Sequence, residues 1–296
     1  MTRLVASSLA LLFVFGTFSR AQDTRREIKV QRDIVFGKGG DAELKLDLAM
    51  PADGDGPFPA VVLIHGGAWQ AGKRGDLGST IEVLARGGLV AATIDYRLVP
   101  TAAFPGQIED CKAAVRWLRA NAKTYKIDAE HIGAVGFSAG AHLACLLGTT
   151  TKDDGLEGKG GNAEQSSRVQ AVVSFFGPTD FTTRTWSDEL EKKLLVPFVG
   201  ASFADKPELY KKVSPVSYVR KDAAPHLFFH GTEDKVVAPR HSRTMAEKLK
   251  EVGVSAKVVE LEGEGHGWKG EKLRQTIEQM NQFLDEQLKP AKKESQ

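Results

Sequence analysis

The sequence predicts an α/β protein with a mainly parallel, doubly wound sheet, helices on both faces and a small helical insertion. Three observations carry that expectation. Short, continuous apolar runs at 60–64, 89–94, 132–135, 169–176 and 226–229 suit strands covered on both faces, as in a parallel sheet. Helix-prone segments alternate with these runs, as crossover connections require. Turns rich in glycine and reactive side chains follow several runs directly, where open α/β sheets gather their sites.

The first 21 residues read as a secretory signal peptide. Arg3 supplies the positive start, Leu9 to Phe15 an apolar core and Ser19-Arg20-Ala21 a cleavage site. The apolar run is too short to span a bilayer comfortably, so a secreted or periplasmic protein without a membrane anchor is expected. Residues 22–296 then form a single domain. Lys and Arg number 40 against 38 Asp and Glu. The signal holds two of the basic residues, so the mature chain is balanced. That balance argues against nucleic-acid and anionic-membrane partners; no sequence feature sets the oligomeric state. Cys111 and Cys145 fall on apolar helix faces and read as buried free thiols, and no zinc-ligand spacing occurs.

Residues 28–36 and 42–49 alternate polar and apolar, as half-exposed antiparallel strands joined at 37–40 do. A Pro-, Gly- and Asp-rich loop at 50–59 leads to the buried strand 60–64. A helix over 77–86 ends at Gly87-Gly88. The strand 89–94 precedes a helix over 105–122, with Ile108, Cys111, Val115 and Leu118 on one face. A strand ending at Val135 turns through 136–140 into a small-residue helix. The polar stretch 151–168 is a surface loop, and 169–176 a strand. Residues 181–217 break the alternation and mix Trp186, Phe198, Phe203 and Tyr210 with charges and prolines, as an insertion over the strand ends would. Strands at 226–229 and 256–261 and helices at 239–252 and 270–288 complete the alternation.

Gly136-Phe137-Ser138-Ala139-Gly140 has the form of a nucleophile elbow, in which a strained strand-to-helix turn exposes the serine. Two further turns complete an acid–base set. Asp234 follows the strand 226–229 and is preferred to its neighbour Glu233; His266 follows the strand 256–261 in a glycine-rich loop near Glu262 and Glu264. A serine hydroxyl is a poor nucleophile at neutral pH. His266 would take its proton, and Asp234 would fix the imidazole tautomer and stabilise the cation. His65-Gly66-Gly67-Ala68-Trp69 supplies a fourth turn. The amides of Gly67, Ala68 and Ala139 are the expected oxyanion donors. His65 is expected to orient this loop, Arg97 to reach loop carbonyls or Asp110, and His142 to pack within its helix.

These stretches carry a resemblance. With HGGAW (65–69), DYRL (95–98), FPGQIEDCKAAVRWLR (104–119), GFSAGAHLA (136–144), SSRVQAVVSFFGPTD (166–180), SPVSYV (214–219), HGTED (230–234) and GEGHG (263–267), the chain resembles the bifunctional acetylxylan/feruloyl esterase branch of the α/β-hydrolases. That branch lies close to hormone-sensitive-lipase-like esterases and kynurenine formamidases. The resemblance runs from about Ile34 to Leu288. It implies an α/β-hydrolase fold and ester hydrolysis without metal or organic cofactor, with Ser138, Asp234 and His266 as triad. Two departures stand out: Gly140-Ala141 where the family has Gly-Gly, and Ala68 where lipase-like relatives have a third glycine.

The expected protein is thus a secreted serine esterase of short acyl or aromatic esters, such as acetyl or feruloyl groups on polysaccharide. Its partner is a small ester or an acylated carbohydrate, with Trp69, Trp186 and Phe203 lining the pocket. Three alternatives remain. A prolyl-oligopeptidase-like peptidase would need a propeller domain for which the chain has no room. A formamidase fits export poorly. A degenerate binding module would not need an intact Ser, Asp and His set.

Overall fold

The computed structural model describes residues 26–184 and 186–289. The expected signal segment and the tail from Pro290 lie outside the described residues. At one sheet edge, β1 (Ile28–Gly39) and β2 (Ala42–Pro51) pair antiparallel. The chain turns at Gly40-Asp41, later than the pattern suggested, because Gly40 takes the positive φ (+61°) the reversal needs. β2 lies antiparallel to β4 (Val90–Ile94), which runs parallel to β3 (Phe58–Ile64). β5 (Ile127–Phe137), β6 (Ala171–Phe175), β7 (His226–Gly231) and β8 (Ala256–Leu261) continue the parallel run, giving the order β1-β2-β4-β3-β5-β6-β7-β8.

β5 begins five residues before its apolar run. Ile127 is buried, but residues 128–131 are partly or fully exposed and need not be apolar. There the Asp128 carboxylate accepts the Glu130 amide at 3.0 Å and lies 2.8 Å from His131 Nδ1.

Alternate residues of β3 enter opposite cores. Ala60, Val62 and Ile64 pack with Ile108 and Leu118 of α2 (Gly106–Ala120), Leu143 and Leu146 of α3 (Ala139–Thr149), and Met245 and Leu249 of α4 (Arg240–Glu251). Val61 and Leu63 pack with Ile81 and Leu84 of α1 (Gly78–Arg86, numbered first in the chain) and with Met280, Leu284 and Leu288 of α5 (Gly270–Leu288). The period of two in the strands thus feeds two helix layers. α3 is buried along its whole length, the position its uniformly apolar sequence requires. Cys111 and Cys145 are buried and not bonded to each other.

The 181–217 stretch folds as short helical turns: Asp188–Leu190, a π-turn at Glu191–Leu195, Val196–Val199 and Pro207–Lys212. It covers the carboxyl ends of the parallel strands, where the turns after β3, β5, β7 and β8 converge. No helix among the described residues is long and apolar enough to cross a membrane.

Two buried imidazoles make the fold sensitive to acid. His226, at the start of β7, and His142, in α3, are sealed from solvent, and burial pushes each down to about 4. The unfolded chain binds protons near pH 6.5, so between pH 6.5 and 4 it holds more protons than the folded one. Stability therefore falls as pH falls through that window, by roughly 3 kcal/mol for each imidazole. Urea midpoints at pH 7.0, 5.5 and 4.5 should decline accordingly; a flat profile would count against these assignments.

Candidate active site

Ser138 stands between β5 and α3 with φ +52° and ψ −117°, a conformation that a non-glycine residue holds only under constraint. The constraint is visible on both sides. Its amide donates to the Phe175 carbonyl at 2.9 Å, and its carbonyl accepts the His142 amide at 3.1 Å. The two elbow glycines let the chain fold this tightly. A Cβ on Gly136 would lie 2.1 Å from the Gly140 oxygen, and one on Gly140 would lie 2.1 Å from the Ile64 oxygen. The methyl of Ala141, one of the two departures, faces Gly177, where a second Cβ would come within 2.6 Å of it.

Ser138 Oγ donates to His266 Nε2 at 2.9 Å, and His266 Nδ1 donates to Asp234 Oδ2 at 2.7 Å. A proton on Nδ1, facing the carboxylate, leaves Nε2 as the free base towards the serine. Asp234 is held from several directions. Its Oδ1 accepts the amides of Val236 and Val237 at 2.8 and 2.9 Å, and His230 Nε2 lies 3.3 Å from Oδ2. Burial alone would raise this carboxyl, but the hydrogen bonds from His230, His266 and the Val237 amide outweigh it and hold it well below the usual carboxylate range. Glu233 is exposed and takes no part in this line. Glu264 pairs with Lys272 at 2.8 Å.

The 65–69 turn lies against the elbow, close enough that a Cβ on Gly66 would sit 3.3 Å from Ser138 Cβ. Gly67, Ala68 and Trp69 all take positive φ, at +111°, +51° and +59°. Ala68 holds this left-handed conformation although it carries a Cβ. The Gly67 and Ala68 amides take no hydrogen-bond partner among the described residues. The Ala139 amide opens a helix, so it lacks an intrahelical acceptor. His65 stacks on Tyr96 at 4.4 Å, its Nδ1 donates to the Gly66 carbonyl, and its own carbonyl accepts the Tyr96 hydroxyl at 3.0 Å. It thus braces the turn. Arg97 bonds the Asp110 carboxylate and the Gly106 carbonyl. His142 accepts the Trp69 indole N–H at 3.2 Å and donates to the Val213 carbonyl at 2.7 Å.

A cavity of about 300 Å³ opens beside Ser138 and is also lined by Ala68 and Ala139. Gly67 is not in its lining. One wall is apolar, made by Trp69, Phe181, Trp186, Leu190, Leu194 and Leu195; the other comprises residues 235–238 and His241. Of the three expected lining aromatics, Trp69 and Trp186 border this space. Phe203 does not: it packs behind the wall, edge-on to Trp186 at 6.4 Å and to Tyr210 at 5.2 Å. The buried carboxylate of Glu191 holds that wall, accepting the Phe203 amide at 2.6 Å and the Trp186 indole at 3.4 Å. Sequence reasoning missed Phe181, Glu191 and His241. Glu191 stands among Asp188, Glu189, Lys192 and Lys193, so nothing in the local sequence set it apart from a solvated charge. Among the described residues no cluster of His, Cys, Asp or Glu is placed to hold a metal ion.

Fold and site together define an α/β-hydrolase with a Ser–His–Asp relay. The chain belongs to the BD-FAE family, whose model matches residues 46–249. Esterase LipC of Mycobacterium tuberculosis is 33% identical over 72% of this chain and 53% of its own length. The chain spans about half the length of the curated relatives it matches. Among solved structures, a truncated carbohydrate esterase from gut microbiota is 27% identical, covering 91% of this chain and 99% of its own with a TM-score of 0.78. A Thermogutta terrifontis esterase, Est2, solved with propionate bound, is 29% identical over 91% and 98% of the two chains, with a TM-score of 0.74.

Gly140→Ala forces a Cβ into the Ile64 carbonyl and should destabilise the fold by about 1–3 kcal/mol in urea unfolding. Gly75→Ala, with no atom nearer than 3.9 Å to the new Cβ, is the control and should stay within about 0.5 kcal/mol. Equal effects at the two positions would contradict the close-approach account of the elbow.

Proposed function

We propose that this protein is a serine carboxylic-ester hydrolase that works through an acyl-enzyme. The observation that carries the reading is the unbroken line from Ser138 through His266 to Asp234, with open amides beside the serine. Ser138 Oγ attacks the ester carbonyl while His266 Nε2 takes its proton. The amides of Ala68 and Ala139, with Gly67, stabilise the tetrahedral oxyanion; each well-placed donor contributes on the order of 3 kcal/mol. His266 then returns the proton to the departing alkoxide. Water attacks the acyl-enzyme by the same route and releases the acid.

The cavity supports a division of the substrate. It opens on Ser138 and two of the donor amides, but His266 is not in its lining. His266 protonates the leaving group, so the alcohol lies on its side and the cavity takes the acyl group. At about 300 Å³ the space suits a short or single-ring acyl group; ligand pockets run from roughly that size upward. The imidazole is partly open to solvent, so a bulky alcohol such as a sugar can remain outside. We therefore favour acetyl or aromatic acyl groups on carbohydrate. A carbohydrate esterase among the similar structures supports this reading, and the signal-like first 21 residues support export to where such polymers occur.

Hydrolysis of p-nitrophenyl esters from acetate to dodecanoate, with feruloyl esters and acetylated xylan, tests it. Ser138→Ala should lose at least about 10⁴-fold in kcat, and Asp234→Asn about 10³–10⁴-fold, while Glu233→Gln stays within about twofold. Full activity in Ser138→Ala would end the proposal. Trp186→Ala opens the apolar wall and should shift kcat/KM from acetate towards longer acyl chains by about tenfold. An unchanged chain-length profile would remove Trp186 from the acyl site.

A further inference from the structure

His241 is the one imidazole in the lining of the acyl cavity. It is the second residue of α4 and is only 6% exposed. Its Nδ1 accepts two backbone amides, Thr179 at 3.3 Å and Asp180 at 3.2 Å, and its carbonyl accepts the Thr179 hydroxyl at 2.6 Å. The ring is therefore pinned to the turn after β6. Burial pushes it down to about 4, and Arg240 and His230 oppose its protonation more than Asp180 and Asp234 favour it. At neutral pH it carries one proton. Nδ1 is an acceptor, so that proton is on Nε2. Nε2 has no partner among the described residues, and it is not among the buried atoms sealed without one. His241 lines the cavity.

We infer that His241 is a specificity-determining residue whose Nε2–H selects acyl groups carrying an acceptor oxygen over alkyl groups of the same shape. This rests on the serine-ester-hydrolase reading and deepens it. Solvent that enters the cavity can accept from this donor. An alkyl acyl group that displaces the water leaves an N–H unpaired in a largely apolar space, whereas an ether, hydroxyl or carbonyl oxygen replaces the lost bond. Sites built to hydrogen-bond a substrate reject analogues lacking the partner far more strongly than hydrophobic pockets reject a change of one methylene. His241 is not a second base: its deprotonated nitrogen is occupied by two amides, and Ser138 already bonds His266.

The test uses isosteric pairs of p-nitrophenyl esters: methoxyacetate against butyrate, 3-methoxypropanoate against pentanoate, and 4-methoxybutanoate against hexanoate. For each enzyme the ether-to-alkyl ratio of kcat/KM is divided by the ratio for hydroxide-catalysed hydrolysis, which removes intrinsic reactivity. The ratio is read within each variant, so any general loss of activity cancels. His241→Asn places an amide oxygen near the Nδ1 position and withdraws the distal donor; His241→Gln restores a donor near Nε2. In wild type at least one pair should favour the ether about tenfold or more. That preference should vanish in His241→Asn and return in part in His241→Gln. A purely structural role would lower both members of a pair alike. Nε2-methylhistidine at position 241 keeps the Nδ1 acceptor and replaces the Nε2 proton by a methyl group; its bulk acts on both members of an isosteric pair, so the ratio decides the matter if the asparagine variant does not fold. A wild type without ether preference in any pair, or a preference that survives both replacements, overturns the assignment. Acetate hydrolysis and its loss in Ser138→Ala report separately on the parent reading. Its failure shows as an inert wild type, and failure of the present inference as an active enzyme indifferent to His241.

Discussion

The site depends on one close backbone contact, the first turn of α3 against the ends of β3 and β5. Gly136 and Gly140 leave no room for side chains there, and Gly140 packs on the carbonyls of Ile64 and His65. That contact sets the strained turn of Ser138 and the distance from the serine to the 65–69 turn. It also points the amino end of a fully buried helix at the reacting position, where its unpaired amides favour developing negative charge. A larger residue at either glycine would move the helix, and Ser138 would separate from the 65–69 turn.

Buried polar groups hold the remaining parts in register. Such groups persist only when paired, so their partners fix tautomers as well as positions. Asp234 is held by two amides and two imidazoles. His142 links the Trp69 indole, α3 and the Val213 carbonyl. Trp69 in turn stacks on Phe198 of the insertion at 4.0 Å, and the Gln70 side chain donates to the Lys193 carbonyl. The 65–69 turn and the cavity wall therefore form one packed unit. A change in the insertion acts on both cavity shape and the geometry of that turn.

The cavity divides its work between shape and polarity. Leucines and aromatics of the 181–217 stretch set its size, with Glu191 as the internal brace of that wall. The segment after Asp234 forms the opposite wall, so the loop that carries this carboxylate also borders the cavity. One short segment, residues 234–241, thereby holds the carboxylate that bonds His266 and much of the cavity lining.

The central strands were legible because burial on both faces demands uninterrupted apolar runs, as at 60–64 and 89–94. The glycines of the elbow and the three reactive turns were legible because such geometry restricts residue type. The start of β5 was hidden, since residues 128–131 are partly exposed and strand positions of that kind need not be apolar. The aromatics of the insertion look alike in sequence, and only packing separates Trp186, which borders the cavity, from Phe203, which supports it from behind. His241 belongs to a helix of mostly polar composition that reads as a surface element. The sequence determined the fold class and the order of reactive residues through local constraints of burial and backbone shape. The tertiary structure alone decided which side chains meet across the strand ends, because those contacts join segments far apart in the chain and leave no local pattern.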